Sequence, residues 1–115
     1  MNLIEEYILL TKTCAKTDYS DSKSVKANNK SVNRMYEIAE KIGYEQTNDS
    51  INDFIKLLDI YENKTNIWAA THLLERIPID ERIEKKALEI IENAAKGATS
   101  EAMGFRMWLN EYNKK

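Results

Sequence analysis

Residues 54–77, FIKLLDIYENKTNIWAATHLLERI, predict two short antiparallel helices joined by a polar turn. The first helix is expected to begin at Ile51, after an N-cap at Ser50, because its apolar residues then recur at spacings of three and four. The turn is expected at residues 62–65, and Pro78 ends the second helix because a residue before proline avoids the α region. The predicted buried residues of this pair are Ile51, Phe54, Ile55, Leu58, Tyr61, Ile67, Ala70, Leu73, Leu74 and Ile77.

Further helices are predicted on both sides of this pair, at residues 2–17, 21–42, 81–96 and 101–113. Gly43 and Gly97 are expected to end two of them, because glycine is common just beyond a helix C-terminus. Asp80 and Ser100 are expected to act as N-caps. The sequence therefore predicts an all-α fold: one domain over residues 1–115, built as a short α–α superhelix (HEAT/armadillo-like) of five or six helices.

Three stretches carry a resemblance to a known family: residues 24–36 (SVKANNKSVNRMY), 66–74 (NIWAATHLL) and 97–112 (GATSEAMGFRMWLNEY). Together they resemble the bacterial domain-of-unknown-function family 2019, which consists of small proteins with an α–α superhelix fold. The resemblance implies that fold and no established activity.

The central pair also resembles one HEAT-type repeat, through Leu57-Leu58-Asp59 and Ala69-Ala70-x-x-Leu73. Such repeats usually place Val-Arg at the start of the second helix, where this chain has Thr65-Asn66. The arginine that would pair with Asp59 is therefore missing.

The composition argues against a membrane protein and against a secreted protein. Charged residues make up 31% of the 115 residues, and no apolar run approaches the ~18 residues of a membrane span. The first residues, MNLIEEYILL, are acidic early and do not resemble a signal peptide. The single cysteine, Cys14, fits a reducing cytosol. We therefore expect a cytoplasmic protein without a membrane partner, and the abundance of Asn, Lys, Ile and Glu is typical of a low-GC bacterial genome.

Catalytic and metal chemistry are not expected. The sequence has one histidine, His72, with Glu75 three residues later. A zinc site needs three or four protein ligands, and no second cysteine or histidine is present to complete one. Neither a GxxxxGK[ST] nor a GxGxxG motif occurs. The sequence predicts no catalytic residue, no metal, no cofactor and no enzyme.

A basic stripe on the second helix is one candidate surface for a partner. A wheel of 100° per residue aligns its members on the face opposite the apolar one: Lys23, Lys26, Lys30, Arg34 and Lys41. Glu37 interrupts it at ion-pair spacing from Arg34 and Lys41. The stripe is either a solvated face or a contact for an acidic protein. Without interleaved aromatic residues or glycines, nucleic acid is not expected.

Four further residues are candidates for partner contact. Trp68 lies off the main apolar arc, near His72, and either covers another helix or anchors an interface. Met103 and Met107 lie one turn apart and would form an adaptable apolar patch if exposed. The complete set of predicted partner-binding residues is Trp68, His72, Met103, Met107, Lys26, Lys30 and Arg34.

Two residues on apolar faces have alternative interpretations. Cys14 is either a small buried hydrophobe or a reactive thiol. Asn28 is an amide among apolar positions, so it either fixes helix register through a polar contact or lines a ligand pocket. A pocket around Asn28, His72 and Trp68 is the one plausible location for a small ligand.

Three functional hypotheses follow. The first is a non-catalytic protein-binding module, most concretely an immunity or antitoxin-like protein that binds and blocks a bacterial toxin. Blocking a site needs complementary shape and charge and no catalytic group. The second is a self-associating helical adaptor, because a repeat stack has open ends that a second copy would cover. The third is a small-ligand binder or an enzyme.

Overall fold

Six α-helices make up most of residues 2–45 and 47–114, the part of the chain that the computed structural model describes. They are α1 (Leu3–Ala15), α2 (Ser22–Glu45), α3 (Asn48–Ile55), α4 (Thr65–Arg76), α5 (Glu81–Ala94) and α6 (Ser100–Asn113). Two 3-10 turns, Lys56–Asp59 and Glu62–Lys64, connect α3 to α4, and these residues contain no strand. The prediction of an all-α fold is confirmed.

Side-chain caps fix the start of several helices. Asp80 caps α5 as predicted, since its Oδ1 accepts a hydrogen bond of 2.9 Å from the amide of Ile83. The predicted caps Ser50 and Ser100 are wrong. Ser50 lies inside α3, which is capped by Thr47, and Ser100 is the first residue of α6, which is capped by Thr99. Threonine and serine side chains can both accept a hydrogen bond from an exposed amide at a helix start. Residue type alone therefore did not show which of the two residues is the N-cap.

Gly43 does not end α2, and that prediction is wrong. The helix continues to Glu45, and Gly43 is buried inside it. A Cβ atom at Gly43 would overlap the carbonyl oxygen of Arg76 and would lie 3.4 Å from the Cα of Ile77. The missing side chain therefore lets α2 approach the end of α4. Gly97 follows the end of α5 with a φ of +108°, a conformation that L residues rarely adopt.

The first arm of the predicted central hairpin is shorter than expected. The chain tightens into a 3-10 turn after Ile55, and this turn buries both Leu57 and Leu58, which are 2% and 1% exposed. A continuous α-helix to Tyr61 would point these adjacent side chains in directions about 100° apart. Asn63 and Lys64 then adopt left-handed φ values of 56° and 59°, and the chain reverses into α4. The predicted stop before Pro78 is confirmed, because Ile77 is extended.

The central position belongs to α4, which packs against α1, α2, α3, α5 and both 3-10 turns. Ala69, Ala70 and Leu73 of α4 are all 0% exposed. The alanines carry little volume, so neighbouring helices can approach α4 closely. Asp59 has no arginine partner within the hairpin and instead accepts a hydrogen bond of 3.0 Å from Lys86 of α5. The HEAT-like superhelical arrangement stays a prediction.

Two buried polar contacts join α1 to α4. The hydroxyl of Tyr7 lies 2.6 Å from Nδ1 of His72. The hydroxyl oxygens of Thr11 and Thr65 lie 2.8 Å apart, and both residues are buried. Thr11 and Thr65 also donate to the carbonyl oxygens of Ile8 and Glu62, so each has a partner close by in sequence. A buried polar group without a partner destabilises the folded state, so the Tyr7–His72 contact specifies how α1 is positioned on α4.

Candidate functional site

His72 lies inside the molecule, with 0% of its surface exposed. Its expected place on a partner-binding surface is therefore wrong, because a side chain without exposed area cannot contact a partner in this conformation. The ring packs 4.3 Å from the ring centre of Tyr36 and 6.0 Å from that of Trp68. Helical periodicity places His72 away from the main apolar face of its helix. Because α4 is in contact with several other helices, the face that carries His72 is buried as well.

The imidazole of His72 is neutral at pH 7. Burial lowers its pKa to about 4; the nearby Glu75 opposes this shift and Arg76 reinforces it. Burial also raises the pKa of Tyr7 well above its ordinary value, so the hydroxyl keeps its proton. The arrangement with the fewest unsatisfied groups has the Tyr7 hydroxyl donating to Nδ1 of His72. A neutral imidazole then carries its proton on Nε2.

This Nε2–H group has no acceptor in residues 2–45 and 47–114. Among the described residues, Nε2 of His72 is a fully buried side-chain nitrogen without a hydrogen-bond partner. Buried polar groups without a partner are rare in folded proteins, and each calls for a physical explanation.

A partly open cleft of about 940 Å³ lies beside His72. It is formed by the end of α1, the α1–α2 connection, α2, the second 3-10 turn, α4 and the start of α6. Its aromatic lining residues are Tyr19, Tyr36, Tyr61, Trp68 and Phe105. Its polar lining residues are Thr17, Asn28, Asn63, Lys64, Thr71, His72, Ser100 and Glu101. The structure thus brings Asn28, Trp68 and His72 together at one cavity, the grouping considered for a small ligand.

Asn28 and Cys14 both line the cleft. Asn28 is half-buried, and its Oδ1 accepts a hydrogen bond of 3.0 Å from Thr17. This contact positions the side chain, so Asn28 combines the structural role with a place in the cavity. Cys14 is buried as the apolar pattern predicted, and burial raises the pKa of its thiol. A thiol that keeps its proton is a poor nucleophile, so the reactive interpretation is not supported.

Glu75 connects three helices and fixes one cleft residue, Tyr36, a role that was not foreseen from the sequence. Its carboxylate accepts a hydrogen bond of 2.9 Å from the Tyr36 hydroxyl and one of 2.6 Å from the Trp108 indole. These donors belong to α2 and α6, so one side chain of α4 ties both helices in place. The sequence indicated this role only indirectly. A tyrosine or tryptophan packed inside a protein usually has a hydrogen-bond partner for its polar atom, but the sequence does not show which residue that partner is.

We expect Glu75→Ala to lower the free energy of unfolding by about 2 kcal/mol, because it removes two hydrogen bonds to a charged acceptor. Urea unfolding followed by circular dichroism measures the change. Glu40→Ala is the matched control: its ion pair with Arg76, at 3.1 Å, is solvent-exposed, and removing such a pair costs about 0–1 kcal/mol. Equal losses in the two variants would contradict the role assigned to Glu75.

The basic stripe is partly engaged within the molecule. Lys26 and Lys30 are exposed, as expected. Arg34 forms two hydrogen bonds with the carboxylate of Glu6 on α1, at 2.7 and 3.0 Å, and a third of 3.2 Å with Glu37. Its guanidinium therefore joins α2 to α1. The other members of the stripe are exposed and form no ion pair with a described residue: Lys23, Lys26, Lys30 and Lys41.

Trp68 and the methionine pair differ in exposure. Trp68 is half-buried and packs against the core, which confirms the packing interpretation, while its role at an interface stays a prediction. Met103 and Met107 are 54% and 68% exposed on α6. Both side chains are therefore accessible, and their role in a partner-binding patch stays a prediction.

Comparison with known proteins identifies no relative: no protein-family model, curated protein or solved structure matches the chain. The resemblance to family 2019 therefore stays a prediction from the three quoted stretches. Over residues 2–45 and 47–114, no group of three or more His, Cys, Asp or Glu side chains could hold a metal ion. None of the helices in this part of the chain combines the length and the apolar character that crossing a membrane requires.

Proposed function

We propose that this chain is a non-catalytic protein-binding module whose partner docks on the outer face of α6. The observation that supports the proposal most is the exposure of Met103 and Met107 on neighbouring turns of this helix. Methionine side chains are flexible and polarizable, and they are common at surfaces that adapt to a partner. Among the residues of α6, only Ala102 is buried, so the helix presents most of its surface to the outside.

In its most specific form, the proposal is that the partner is a bacterial toxin and that this chain acts as an immunity or antitoxin-like protein. An inhibitor of this kind needs a surface complementary to the toxin and no catalytic group of its own. The exposed basic residues Lys26 and Lys30 would add contacts for an acidic partner. A second copy of the chain is the alternative occupant, because a terminal helix of a repeat stack presents an open face.

Co-expression with the product of the neighbouring gene, followed by native mass spectrometry, tests this function. We expect a stoichiometric complex and protection of the cell from that product's toxicity. We expect Met103→Lys/Met107→Lys to weaken the complex at least tenfold, because charges at the centre of an apolar contact must be desolvated. Leu9→Lys is the matched control, since Leu9 is 47% exposed on α1, outside the proposed surface.

Three outcomes would contradict the proposal in different ways. A complex that Met103→Lys/Met107→Lys leaves unchanged would place the interface elsewhere. Absence of both a complex and protection would reject the toxin-binding form. A homodimer that the double variant dissociates would assign the α6 surface to self-association.

A further inference from the structure

Half of the aromatic residues of the chain line the cleft beside His72. The sequence contains two tryptophans, six tyrosines and two phenylalanines, and five of these ten residues line the cleft: Tyr19, Tyr36, Tyr61, Trp68 and Phe105. The cleft volume of about 940 Å³ lies at the upper end of the range of roughly 300–1,000 Å³ that small-molecule sites occupy. Neither Met103 nor Met107 lines it, so the cleft is separate from the surface proposed for a protein partner.

Two of these five side chains are mostly exposed to solvent. Tyr19, between α1 and α2, is 77% exposed. Tyr61, between the two 3-10 turns, is 75% exposed, although the apolar pattern predicted its burial. Packing within the described chain therefore involves little of either side chain, whereas a molecule bound in the cleft would cover part of their large aromatic surface.

The charges on the cleft wall disfavour an anionic ligand. Lys64 is the sole cation among the described lining residues, and its Nζ lies 2.6 and 2.7 Å from the carboxylate oxygens of Glu101. A carboxylate or phosphate ligand would have to break this ion pair or enter without a cationic partner. Desolvating a charge that has no partner is unfavourable.

A carboxylate next to the aromatic wall favours a cation instead. Glu75 accepts hydrogen bonds of 2.9 Å from Tyr36, which lines the cleft, and of 2.6 Å from Trp108. Both donors are neutral groups, so neither compensates the charge of this carboxylate. Arg76, the cation next to it in sequence, pairs with Glu40 at 3.1 Å. The charge of Glu75 therefore contributes a negative potential at the cleft, which attracts a positively charged ligand.

We propose that this cleft binds a small organic cation, an alkylated ammonium ion, through the ring faces of Trp68, Tyr19 and Tyr61. Aromatic faces carry negative charge density and attract cations, tryptophan most strongly. This attraction needs only ring surface that a ligand can reach, and Trp68 is half-buried while both tyrosines are exposed. Tyr36 is left out because the guanidinium of Arg76 already lies 5.1 Å from its ring centre.

The alkyl groups of the ligand follow from the same lining. A primary ammonium ion is compact and strongly hydrated, so it loses more on leaving water than an alkylated one does. Alkyl groups on the nitrogen also bury apolar surface against Val32, Ile67 and Phe105, which line the cleft as well.

Three probes of similar shape and different charge test this proposal: choline, its uncharged analogue with carbon in place of nitrogen, and the anion pivalate. All are measured at one ionic strength, because salt screens charge interactions. We expect choline, at concentrations up to about 10 mM, to shift the indole NMR signal of Trp68 saturably. The other two probes should bind at least about fivefold more weakly, because they lack the cation–π attraction. Trp108 does not line the cleft, so its indole signal is the internal reference.

Tyr19→Ala/Tyr61→Ala is the matched variant, because exposed side chains can be removed without disturbing the core. Choline binding is expected to fall at least about fivefold in this variant. Tyr44→Ala is the control, since Tyr44 is 90% exposed and does not line the cleft; it should bind choline as the unmodified chain does.

Four results would overturn the proposal: no saturable shift with choline, equal binding of the uncharged analogue, tighter binding of pivalate, or undiminished binding in the double variant. Competition by phosphatidylcholine vesicles would place the cation on a lipid headgroup and overturn the assignment to a soluble ligand. These results do not depend on whether a protein binds α6.

Discussion

Replacing Gly43 with alanine is expected to lower the free energy of unfolding by about 3 kcal/mol, because an added methyl group in a packed interior forces backbone shifts. The new Cβ atom would overlap the carbonyl oxygen of Arg76, which belongs to the backbone at the end of α4. A backbone carbonyl cannot rotate away as the end of a flexible side chain can. The two helices would have to separate, and the core residues between them would lose contact.

Gly104→Ala is the matched control for this substitution. Gly104 also lies within a helix, but a Cβ atom there meets nothing within 4 Å. Alanine should therefore raise the free energy of unfolding by about 0.5–1 kcal/mol through its higher helix propensity. Urea unfolding of both variants measures the difference. If Gly43→Ala unfolds at the same urea concentration as the unmodified chain, the close approach of α2 to α4 does not exist in solution.

Acidification from pH 7 to pH 4 is expected to destabilise the fold by about 3 kcal/mol through His72 alone. Its folded-state pKa is lowered from 6.5 to about 4. Between these values the unfolded chain binds a proton that the folded chain does not, so stability is lost as the pH falls through this window. The cause is burial: a protonated imidazole would place an unpaired charge among Tyr7, Tyr36 and Trp68.

Two measurements isolate this effect from the protonation of carboxylates in the same range. An NMR titration of the single histidine should show no protonation above about pH 5 in the folded state. Urea unfolding between pH 7 and pH 4 should show a weaker pH dependence in Tyr7→Phe/His72→Leu, which lacks the titrating group. Carboxylate pairs such as Glu6–Arg34 are common to both chains. A folded-state titration near pH 6.5 would mean that His72 is exposed to water.

Several features that depend on neighbours in sequence were predictable, although the N-caps expected at Ser50 and Ser100 were wrong. Asp80 caps α5 through the amide of Ile83, three residues later, and Pro78 restricts the residue directly before it. The periodic spacing of apolar residues likewise predicted the all-α fold. These signals act over one helical turn, so a single sequence contains all the information they need.

Features that depend on distant residues were not predictable. Gly43 follows an apolar helical pattern, as a glycine at a helix end does. In the structure, its lack of a side chain instead allows the backbone of Arg76 to approach α2 closely. His72 is polar, and nothing nearby indicates that Tyr7, 65 residues away, supplies a partner and allows its burial. Glu75 was missed because its two donors come from other helices. The grouping of Asn28, Trp68 and His72 was considered, but their shared cavity emerges only when the helices are assembled.

The contacts Tyr7–His72 and Thr11–Thr65 also constrain the order in which the chain can fold during its synthesis. They join residues 65 and 54 positions apart, and α1, α2 and α3 leave the ribosome before α4 does. Until α4 emerges, the hydroxyl of Tyr7 lacks its partner His72, and the hydroxyl of Thr11 has only the carbonyl oxygen of Ile8, 2.7 Å away in the same helix. A long loop must still be closed. Before α4 emerges, the N-terminal helices cannot make these contacts, and the core closes only after α5, whose Ile83, Ala87 and Ile91 are also buried in it.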